Sequence, residues 1–307
     1  MRIFLTVGSR FAMDRLVKLV DEIVGENPRF SCIAQIGDSQ FSPKNCQFHK
    51  VLNQEKFNQF AKEADVIVSH AGMGNIILAA TLNKHILVMA RKSSLNEHIN
   101  DHQLSTVKGL QNKNFVHPID DKQTLMAALQ RVDQSGLKVI NSPDSNELTN
   151  YLKQYFNSLT SKKVLAVSSA GGHWVQLKAL SISFEKHNVT FMTTNINSDE
   201  IFKKNNRVIT VIDADIKRKF RLLLLGLQTC FYVLKSQPDI IISTGAAPGF
   251  FAIFYAKIMR KDTIWIDSIA NYEKLSISGK YAKAFSNIFL VQWPHLAEEG
   301  DHKGALI

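Results

Sequence analysis

Two glycine-rich turns, one in each half of the chain, constrain the fold more than any other feature of the sequence. Each turn follows an apolar run that predicts a β-strand: Val66 to Val68 precedes the segment from Ser69 to Gly74, and Val164 to Ser168 precedes the segment from Ser169 to His173. Ligands of open α/β sheets bind just outside the carboxyl ends of the strands. The pair of turns therefore predicts two Rossmann-like domains in tandem, each with a site at that edge.

Strand-like and helix-like segments alternate in both halves, a pattern that predicts a parallel, doubly wound sheet in each. The predicted strands are residues 3–7, 31–36, 66–68, 85–90, 164–168, 189–193, 240–243, 263–267 and, last, 289–291. The predicted helices are residues 13–24, 57–64, 75–82, 147–159 and 175–184, with a further helix that carries Pro248 in its first turn. The pattern restarts after the segment from Thr160 to Lys163, so we predict domains of residues 1–160 and 161–307.

Composition places the chain among folded proteins that work in a reducing compartment. Its 307 residues are enough for two cores, and 45% hydrophobic with 21% charged residues is typical of a globular protein. Three scattered cysteines form neither a disulfide framework nor a four-ligand zinc site. The N-terminus runs directly into a strand pattern, so we expect no secretory signal.

The net charge of +10 lies mostly in the second half of the chain. Residues 1–160 hold 18 Lys and Arg against 15 Asp and Glu, whereas residues 161–307 hold 19 against 12. This excess favours a polyanion or an acidic membrane surface as partner of the second half. The sequence contains no helix-turn-helix, zinc-finger or RNA-recognition motif, so we expect no nucleic-acid partner.

The first glycine turn has the properties of an anion site. Backbone N–H groups and the helix dipole both favour an anion at a helix N-terminus. Gly72 and Gly74 would let the backbone approach a diphosphate closely, and His70 can donate a hydrogen bond to a phosphate oxygen. A plain tight turn between strand and helix is the alternative, and the residues alone leave both open.

Two segments of the first half resemble the nucleotide-sugar-binding box of the GT-B glycosyltransferases. Asp65 to Asn75 resembles the turn that faces the diphosphate, and Glu97 to Gln103 resembles the acidic-His-Gln segment that contacts the sugar. The resemblance implies a UDP-sugar as substrate and no further cofactor. It assigns donor binding to Gly8, Ser9, His70, Gly72, Gly74, Asn75, Glu97, Asp101, His102 and Gln103. Leu78 stands where relatives often carry a ribose-binding Glu, so the residue that binds the ribose stays open.

Residues 164–295 resemble the membrane-associated acceptor subunit of two-part glycosyltransferases, which build exopolysaccharide and dolichol-linked sugars. Four segments carry the match: 168–173, 242–246, 266–270 and 291–294. The implied architecture is GT-B, with two Rossmann-like domains facing across a cleft and the donor domain first. That order reverses the order in the lipid-II glycosyltransferase. The predicted acceptor-binding residues are Gly171, Gly172, Thr244, Gly245 and Asn271.

An inverting transfer needs a base that removes the proton of the acceptor hydroxyl. The imidazole of His173 suits that role because it titrates near neutrality. The alternative is that His173 caps the following helix or orients the glycine loop. Asp267 is a rival base, although a carboxylate at a strand end can equally bind acceptor hydroxyls.

A basic cluster precedes an apolar run in the second half. The cluster is Lys217, Arg218, Lys219 and Arg221, and the run from Leu222 to Leu234 is shorter than the ~20 residues that span a bilayer. A helix of this kind can lie in the membrane interface and attract anionic lipid. A buried helix with a solvated basic start is the alternative.

These features predict a membrane-associated, inverting glycosyltransferase that moves a sugar from a UDP-sugar to a polyprenyl-diphosphate-linked saccharide in surface polysaccharide synthesis. We expect it in the cytoplasm, peripheral on the inner face of the plasma membrane. We expect no metal, because helix amides and His70 can stabilise the diphosphate. A UDP-sugar 2-epimerase and a non-catalytic, nucleotide-sugar-binding assembly subunit are the alternatives. The transferred sugar, the acceptor saccharide, the linkage and the oligomeric state stay open.

Overall fold

A computed structural model describes residues 1–8, 11–98, 101–111, 113–135, 147–194, 200–214 and 218–307. The chain divides into two compact units, Met1–Ser142 and Pro143–Ile307.

The first unit is built on a six-stranded parallel sheet. Its strands are β1 (Arg2–Thr6), β2 (Ser31–Gln35), β3 (Gln47–His49), β4 (Val66–His70), β5 (Ile86–Met89) and β6 (Val116–Pro118). They lie in the order β3-β2-β1-β4-β5-β6, in which the sequence of neighbours reverses between β1 and β4. Ile3, Phe4 and Leu5 are all buried, as expected for a parallel strand covered on both faces.

Five described helices belong to the first unit. They are α1 (Asp14–Glu26), α2 (Gln54–Glu63), α3 (Met73–Thr81), α4 (His102–Leu110) and α5 (Lys122–Ser135). Helix α1 shows why they pack on the sheet: its buried residues recur at helical spacing and enter the same core as β1 and β2.

The second unit repeats the plan with seven parallel strands. They are β7 (Lys163–Val167), β8 (Asn188–Thr193), β9 (Arg207–Thr210), β10 (Ile240–Ser243), β11 (Asp262–Ile266), β12 (Ile288–Val291) and β13 (Asp301–His302). Their order is β13-β12-β11-β10-β7-β8-β9, so the reversal lies between β7 and β10. The described helices are α6 (Glu147–Asn157), α7 (Gly172–Leu180), α8 (Glu200–Asn205), α9 (Lys219–Ser236), α10 (Ala246–Ile258) and α11 (Ile277–Ala282).

The structure confirms two parallel-sheet Rossmann-like units and corrects the boundary between them. We predicted a division after residue 160, whereas the units divide after Ser142. Helix α6 belongs to the second unit because Leu148, Leu152 and Phe156 are buried in the core around β7 and α7. Two further details differ. We did not predict β3, β6, β9, α4, α5, α8 and α11, and the last strand is β13 rather than the segment at 289–291.

We expect Leu152→Ala to lower the free energy of unfolding of the second unit by about 2–5 kcal/mol, the usual effect of truncating a buried leucine. All three tryptophans, Trp174, Trp265 and Trp293, lie in this unit, so their fluorescence during urea unfolding reports on it selectively. Gln154→Ala, at an exposed position of α6, is the matched control. An unchanged fluorescence transition in Leu152→Ala would assign α6 to the first unit after all.

Candidate functional site

The turns after β1 and β4 meet at the carboxyl edge of the first sheet. Thr6 and Ser69 are paired in the register of these strands, which brings Gly8 beside His70. A Cβ built on Gly72 would lie 2.4 Å from Nε2 of His70, and one on Gly8 would lie 3.2 Å from its Cε1. Gly8 also has a φ of +77°, a left-handed conformation that favours glycine. The structure therefore brings together the predicted residues Gly8, His70 and Gly72.

His70 is neutral at pH 7. Burial and, second, the charge of Arg91 lower the pKa of His70 from 6.5 to about 3. A neutral imidazole can donate one hydrogen bond to an anion but carries no charge of its own. Among the charged groups that act on His70, Arg91 has the largest effect.

Two further predicted donor residues lie at the start of α3. The side-chain amide nitrogen of Asn75 donates to Oγ of Ser69 at 2.6 Å, and that hydroxyl donates to the Thr6 carbonyl at 2.8 Å. Asn75 thus braces the ends of β1 and β4. Gly74 is half-buried in the first turn of the helix. Their contact with a donor stays a prediction.

The carboxylates of the predicted sugar-contacting segment hold the protein's own turns. Buried Glu97 accepts from Nε of Arg15 at 2.7 Å and from the Lys92 N–H at 3.0 Å. Exposed Asp101 accepts from the N–H and the hydroxyl of Ser93, both at 2.7 Å, and these bonds lower the pKa of Asp101. Both carboxylates therefore have a structural role in the described protein.

The remaining residues of this segment differ in burial. Gln103 is buried, and its Oε1 accepts from the Arg91 N–H at 3.2 Å. His102 is exposed, and its ring meets that of His98 edge-on with centroids 4.7 Å apart. Leu78, at the position compared with a ribose-binding Glu, is half-buried on α3. Ser9 lies outside the described residues.

Sequence reasoning missed Arg91, which lies two residues after the end of β5. Only 1% of its surface is exposed. Its guanidinium donates to the main-chain carbonyls of four residues on two separate loops: Val7 at 2.5 Å, Glu97 at 2.7 Å, Phe11 at 3.0 Å and Ala12 at 3.1 Å. A basic residue just after a buried strand was the available signal.

In the second unit, the turns after β7 and β10 meet in the same way. Nδ1 of His173 lies 2.7 Å from the Thr244 carbonyl, and the Thr244 hydroxyl donates to the His173 carbonyl at 2.8 Å. A carbonyl oxygen can only accept, so the proton of the neutral ring is on Nδ1. The lone pair is then on Nε2, where a general base needs it.

The glycines of this edge leave room for that arrangement. Gly245 has a φ of +126°, and a Cβ there would lie 2.7 Å from both Cε1 and Nδ1 of His173. Gly171 has a φ of +81°, and Gly172 begins α7. Burial lowers the pKa of His173, although the hydrogen bond to Thr244 and the charge of Asp267 oppose that shift. His173 is therefore available in its neutral, basic form at pH 7.

Asp267 is a weaker candidate for the base. Its buried carboxylate accepts from the Ser276 hydroxyl at 2.7 Å, Nδ2 of Asn271 at 3.0 Å, Nε1 of Trp265 at 3.2 Å and the Ser276 N–H at 3.3 Å. Four donors occupy the lone pairs that a base would use. This bonding favours a structural role for Asp267. It also occupies the side-chain amide of Asn271, whose contact with the acceptor stays a prediction.

A buried amide network fixes the helix that carries His173. Gln176, on α7, accepts from the Ile269 N–H and from Nε2 of Gln292, both at 3.1 Å, and donates to the Ser268 hydroxyl at 2.7 Å. Nε2 of Gln292 also donates to the Asp267 carbonyl at 3.0 Å. The network joins α7 to the loops after β11 and β12, which explains why these residue types occur in the motifs.

The predicted membrane segment forms α9. One face is buried and packs against α10, whereas the other presents a continuous apolar stripe to solvent. This stripe consists of Phe220, Leu223, Leu224, Leu227, Phe231 and Leu234. Arg218, Lys219 and Arg221 are exposed at the start of the helix, and Lys217 lies outside the described residues. Within the described ranges, no helix has the length and apolar character to cross a bilayer.

Among the described residues, the structure shows no cluster of three or more His, Cys, Asp or Glu side chains that could hold a metal ion.

Comparison with protein families matches almost the whole chain in two parts. Residues 2–163 match the glycosyltransferase family 28 C-terminal domain, and residues 145–305 match oligosaccharide biosynthesis protein Alg14 like. The chain belongs to both families. The family 28 match covers the first unit, here called the family 28 unit, and continues through α6, whereas the Alg14-like match covers the second, the Alg14-like unit.

Curated relatives of the Alg14-like unit are UDP-N-acetylglucosamine transferase subunits from yeasts. The Eremothecium gossypii protein is 30% identical over 71 residues, which are 21% of this chain and 32% of that protein. The Yarrowia lipolytica protein is 34% identical over 84 residues, 24% of this chain and 39% of that protein. The chain thus spans only about a third of the length of these two relatives. The Debaryomyces hansenii protein is 24% identical over 204 residues, 56% of this chain and 88% of that protein.

Solved structures show only slight likeness. A UDP-GlcNAc 2-epimerase from Methanocaldococcus jannaschii shares 11% identity at a TM-score of 0.23, with 99% of this chain and 90% of that chain covered. HepE from Anabaena in complex with UDP shares 15% identity at a TM-score of 0.27, with 87% and 80% covered. TM-scores this low support no conclusion about function.

Proposed function

We propose that the protein is an inverting glycosyltransferase that moves a sugar from a UDP-sugar to a polyprenyl-diphosphate-linked saccharide in surface polysaccharide synthesis. The observation that carries this proposal is the fusion of a family 28 unit and an Alg14-like unit in one chain. The family 28 unit would bind the donor, and the Alg14-like unit would bind the acceptor at the membrane, with the protein peripheral on the cytoplasmic face.

The proposed donor site is the edge formed by Gly8, His70 and the start of α3. Backbone amides at a helix N-terminus stabilise a diphosphate, both when it binds and when it leaves. His70 would add one neutral hydrogen bond, and Arg91 would add positive charge. Because these groups can stabilise the leaving diphosphate, the proposal includes no metal.

The proposed chemistry places the base on His173. The hydrogen bond from its Nδ1 to Thr244 orients the ring and leaves the lone pair on Nε2. Nε2 would remove the proton of the acceptor hydroxyl as the oxygen attacks the anomeric carbon, while the C–O bond to the UDP leaving group breaks. The configuration at that carbon inverts in such a single displacement.

A non-catalytic subunit is the second candidate, because the yeast relatives are named as transferase subunits. A transfer assay on the purified chain distinguishes the two candidates. A glycosyltransferase would transfer sugar from a UDP-sugar to a synthetic lipid-diphosphate saccharide, whereas a non-catalytic subunit would bind UDP without transfer.

His70→Ala is expected to weaken UDP binding about tenfold to hundredfold, the effect of losing one hydrogen bond to a charged ligand. Isothermal calorimetry measures this directly. Gln103→Ala should leave UDP affinity near that of the wild type and mainly reduce discrimination among UDP-sugars. Unchanged UDP affinity in His70→Ala would count against the donor assignment.

His173→Ala is expected to reduce turnover about 10²- to 10⁴-fold, the contribution of a general base. Donor affinity should not change, because His173 belongs to the other unit. Burial keeps the pKa of His173 below 6.5, so wild-type turnover should hold at pH 7 and fall only as the pH drops below that value.

His187→Ala is the control, since this histidine bonds to the Phe156 carbonyl and the Lys162 N–H instead. Its turnover and pH profile should match those of the wild type. Near-normal turnover in His173→Ala beside an inactive, folded Asp267→Asn would move the base role to Asp267.

We expect the triple variant Leu223→Gln, Leu227→Gln and Phe231→Gln to lose most binding to anionic vesicles in co-sedimentation. Replacing Arg218, Lys219 and Arg221 with Gln should weaken binding as well, and wild-type binding should fall as salt screens these charges. Ile182→Gln removes an exposed apolar residue elsewhere on the same unit and should have no effect. If the triple variant sediments like the wild type, the α9 stripe does not face lipid.

A further inference from the structure

Arg91 joins the loops on which the proposed donor site depends. Two of the described residues in the loop after β1 are left-handed: Gly8 has a φ of +77° and Phe11 a φ of +63°. A non-glycine residue in this conformation is strained and persists only where the surroundings hold it. The Arg91 guanidinium supplies that hold, because it donates to the carbonyls of Val7, Phe11 and Ala12 on either side of the strained turn.

The same guanidinium reaches a second loop. It donates to the Glu97 carbonyl at 2.7 Å, while the Glu97 carboxylate pairs with Arg15 of α1. Arg15 also donates to the Ala90 carbonyl at 2.5 Å. The loop after β1, helix α1 and the loop after β5 are thereby tied to one buried cation.

The charge of Arg91 also acts at His70. Burial of a guanidinium does not neutralise it, because arginine stays protonated in proteins. After burial, the Arg91 charge is the next largest cause of the low pKa of His70. The Arg91 charge that disfavours a proton on His70 also favours an anion beside it, for the same electrostatic reason.

We propose that Arg91 is the positioning residue of the diphosphate site: its planar fork sets the Gly8 turn against His70, and its charge provides the positive potential there. Arg91 acts through the turn and through space, without touching the ligand. This inference rests on the proposed donor function of the family 28 unit.

Two substitutions separate shape from charge. Arg91→Lys keeps the charge but replaces the planar fork with a point donor that cannot reach four carbonyls, and Arg91→Met removes both. Arg2→Met is the matched control, since Arg2 pairs with Asp65 at the opposite, amino end of β1. The measurement is the affinity for UDP and for uridine, by calorimetry and competition, in the full chain.

We expect the ratio of UDP to uridine affinity to fall about tenfold or more in Arg91→Met and by a smaller factor in Arg91→Lys, because charge-assisted bonds to the diphosphate are weakened while the nucleoside contacts remain. Arg2→Met should keep the wild-type ratio. A general structural role would lower both affinities equally, and that result overturns the inference. An unchanged ratio of UDP to uridine affinity in Arg91→Met also overturns the inference about Arg91, but it does not contradict the proposed donor site. A wild type that binds no UDP removes the proposed function itself.

Hydrogen exchange of the wild type decides the case in which both Arg91 variants fail to fold. If Arg91 holds the described ends of this loop before the ligand binds, the amides of Val7, Gly8 and Met13, which donate to Gln35, Thr6 and Ser39, should be protected without UDP. Exchange of these amides at the rate of an unstructured chain would overturn the inference.

Discussion

The reversal of strand order at the centre of each sheet is the constraint on which both candidate sites depend. Loops on the two sides of a reversal diverge and leave a crevice at the carboxyl edge. In the first unit this point lies between β1 and β4, and in the second between β7 and β10. At each one a histidine ring lies against a glycine that follows the neighbouring strand: His70, at the end of β4, lies against Gly8, and His173, in the first turn of α7, lies against Gly245. A Cβ on Gly245 would overlap the ring of His173, and a Cβ on Gly8 would crowd the ring of His70.

The two units stabilise these edges by different means. Arg91 gathers main-chain carbonyls in the first unit, whereas the neutral amides of Gln176 and Gln292 join the loops of the second. The Arg91 guanidinium keeps its charge although it is buried and hydrogen-bonded to carbonyls. The resulting positive potential favours an anionic ligand. A neutral amide network fixes geometry without adding charge, which suits a base that must stay unprotonated.

Apolar runs predicted most of the central strands, because burial on both faces requires a continuous hydrophobic pattern. The glycines that follow two of these runs predicted the turns. Edge strands such as β3 and β13 are short and partly exposed, so their sequences carry no such pattern. The amphipathic pattern of α6 predicts a helix but not which core it joins, and the boundary was therefore wrong. Arg91 was missed because a charged residue in a sequence is normally predicted to be exposed to solvent. Its hydrogen-bond partners are main-chain carbonyls, which the identities of the side chains do not reveal.

Under the proposed function, the two neutral histidines have opposite tasks. His173 donates its ring proton to the Thr244 carbonyl, so only a lone pair on Nε2 remains for the acceptor. His70 also has a backbone hydrogen bond, to Thr6, and this bond opposes the lowering of its pKa. The proposal therefore requires the His70 proton to lie on Nε2, next to Gly72, when a phosphate is bound, whereas His173 keeps its proton on Nδ1. Burial keeps both rings uncharged, so the role of each histidine depends on which ring nitrogen carries the proton.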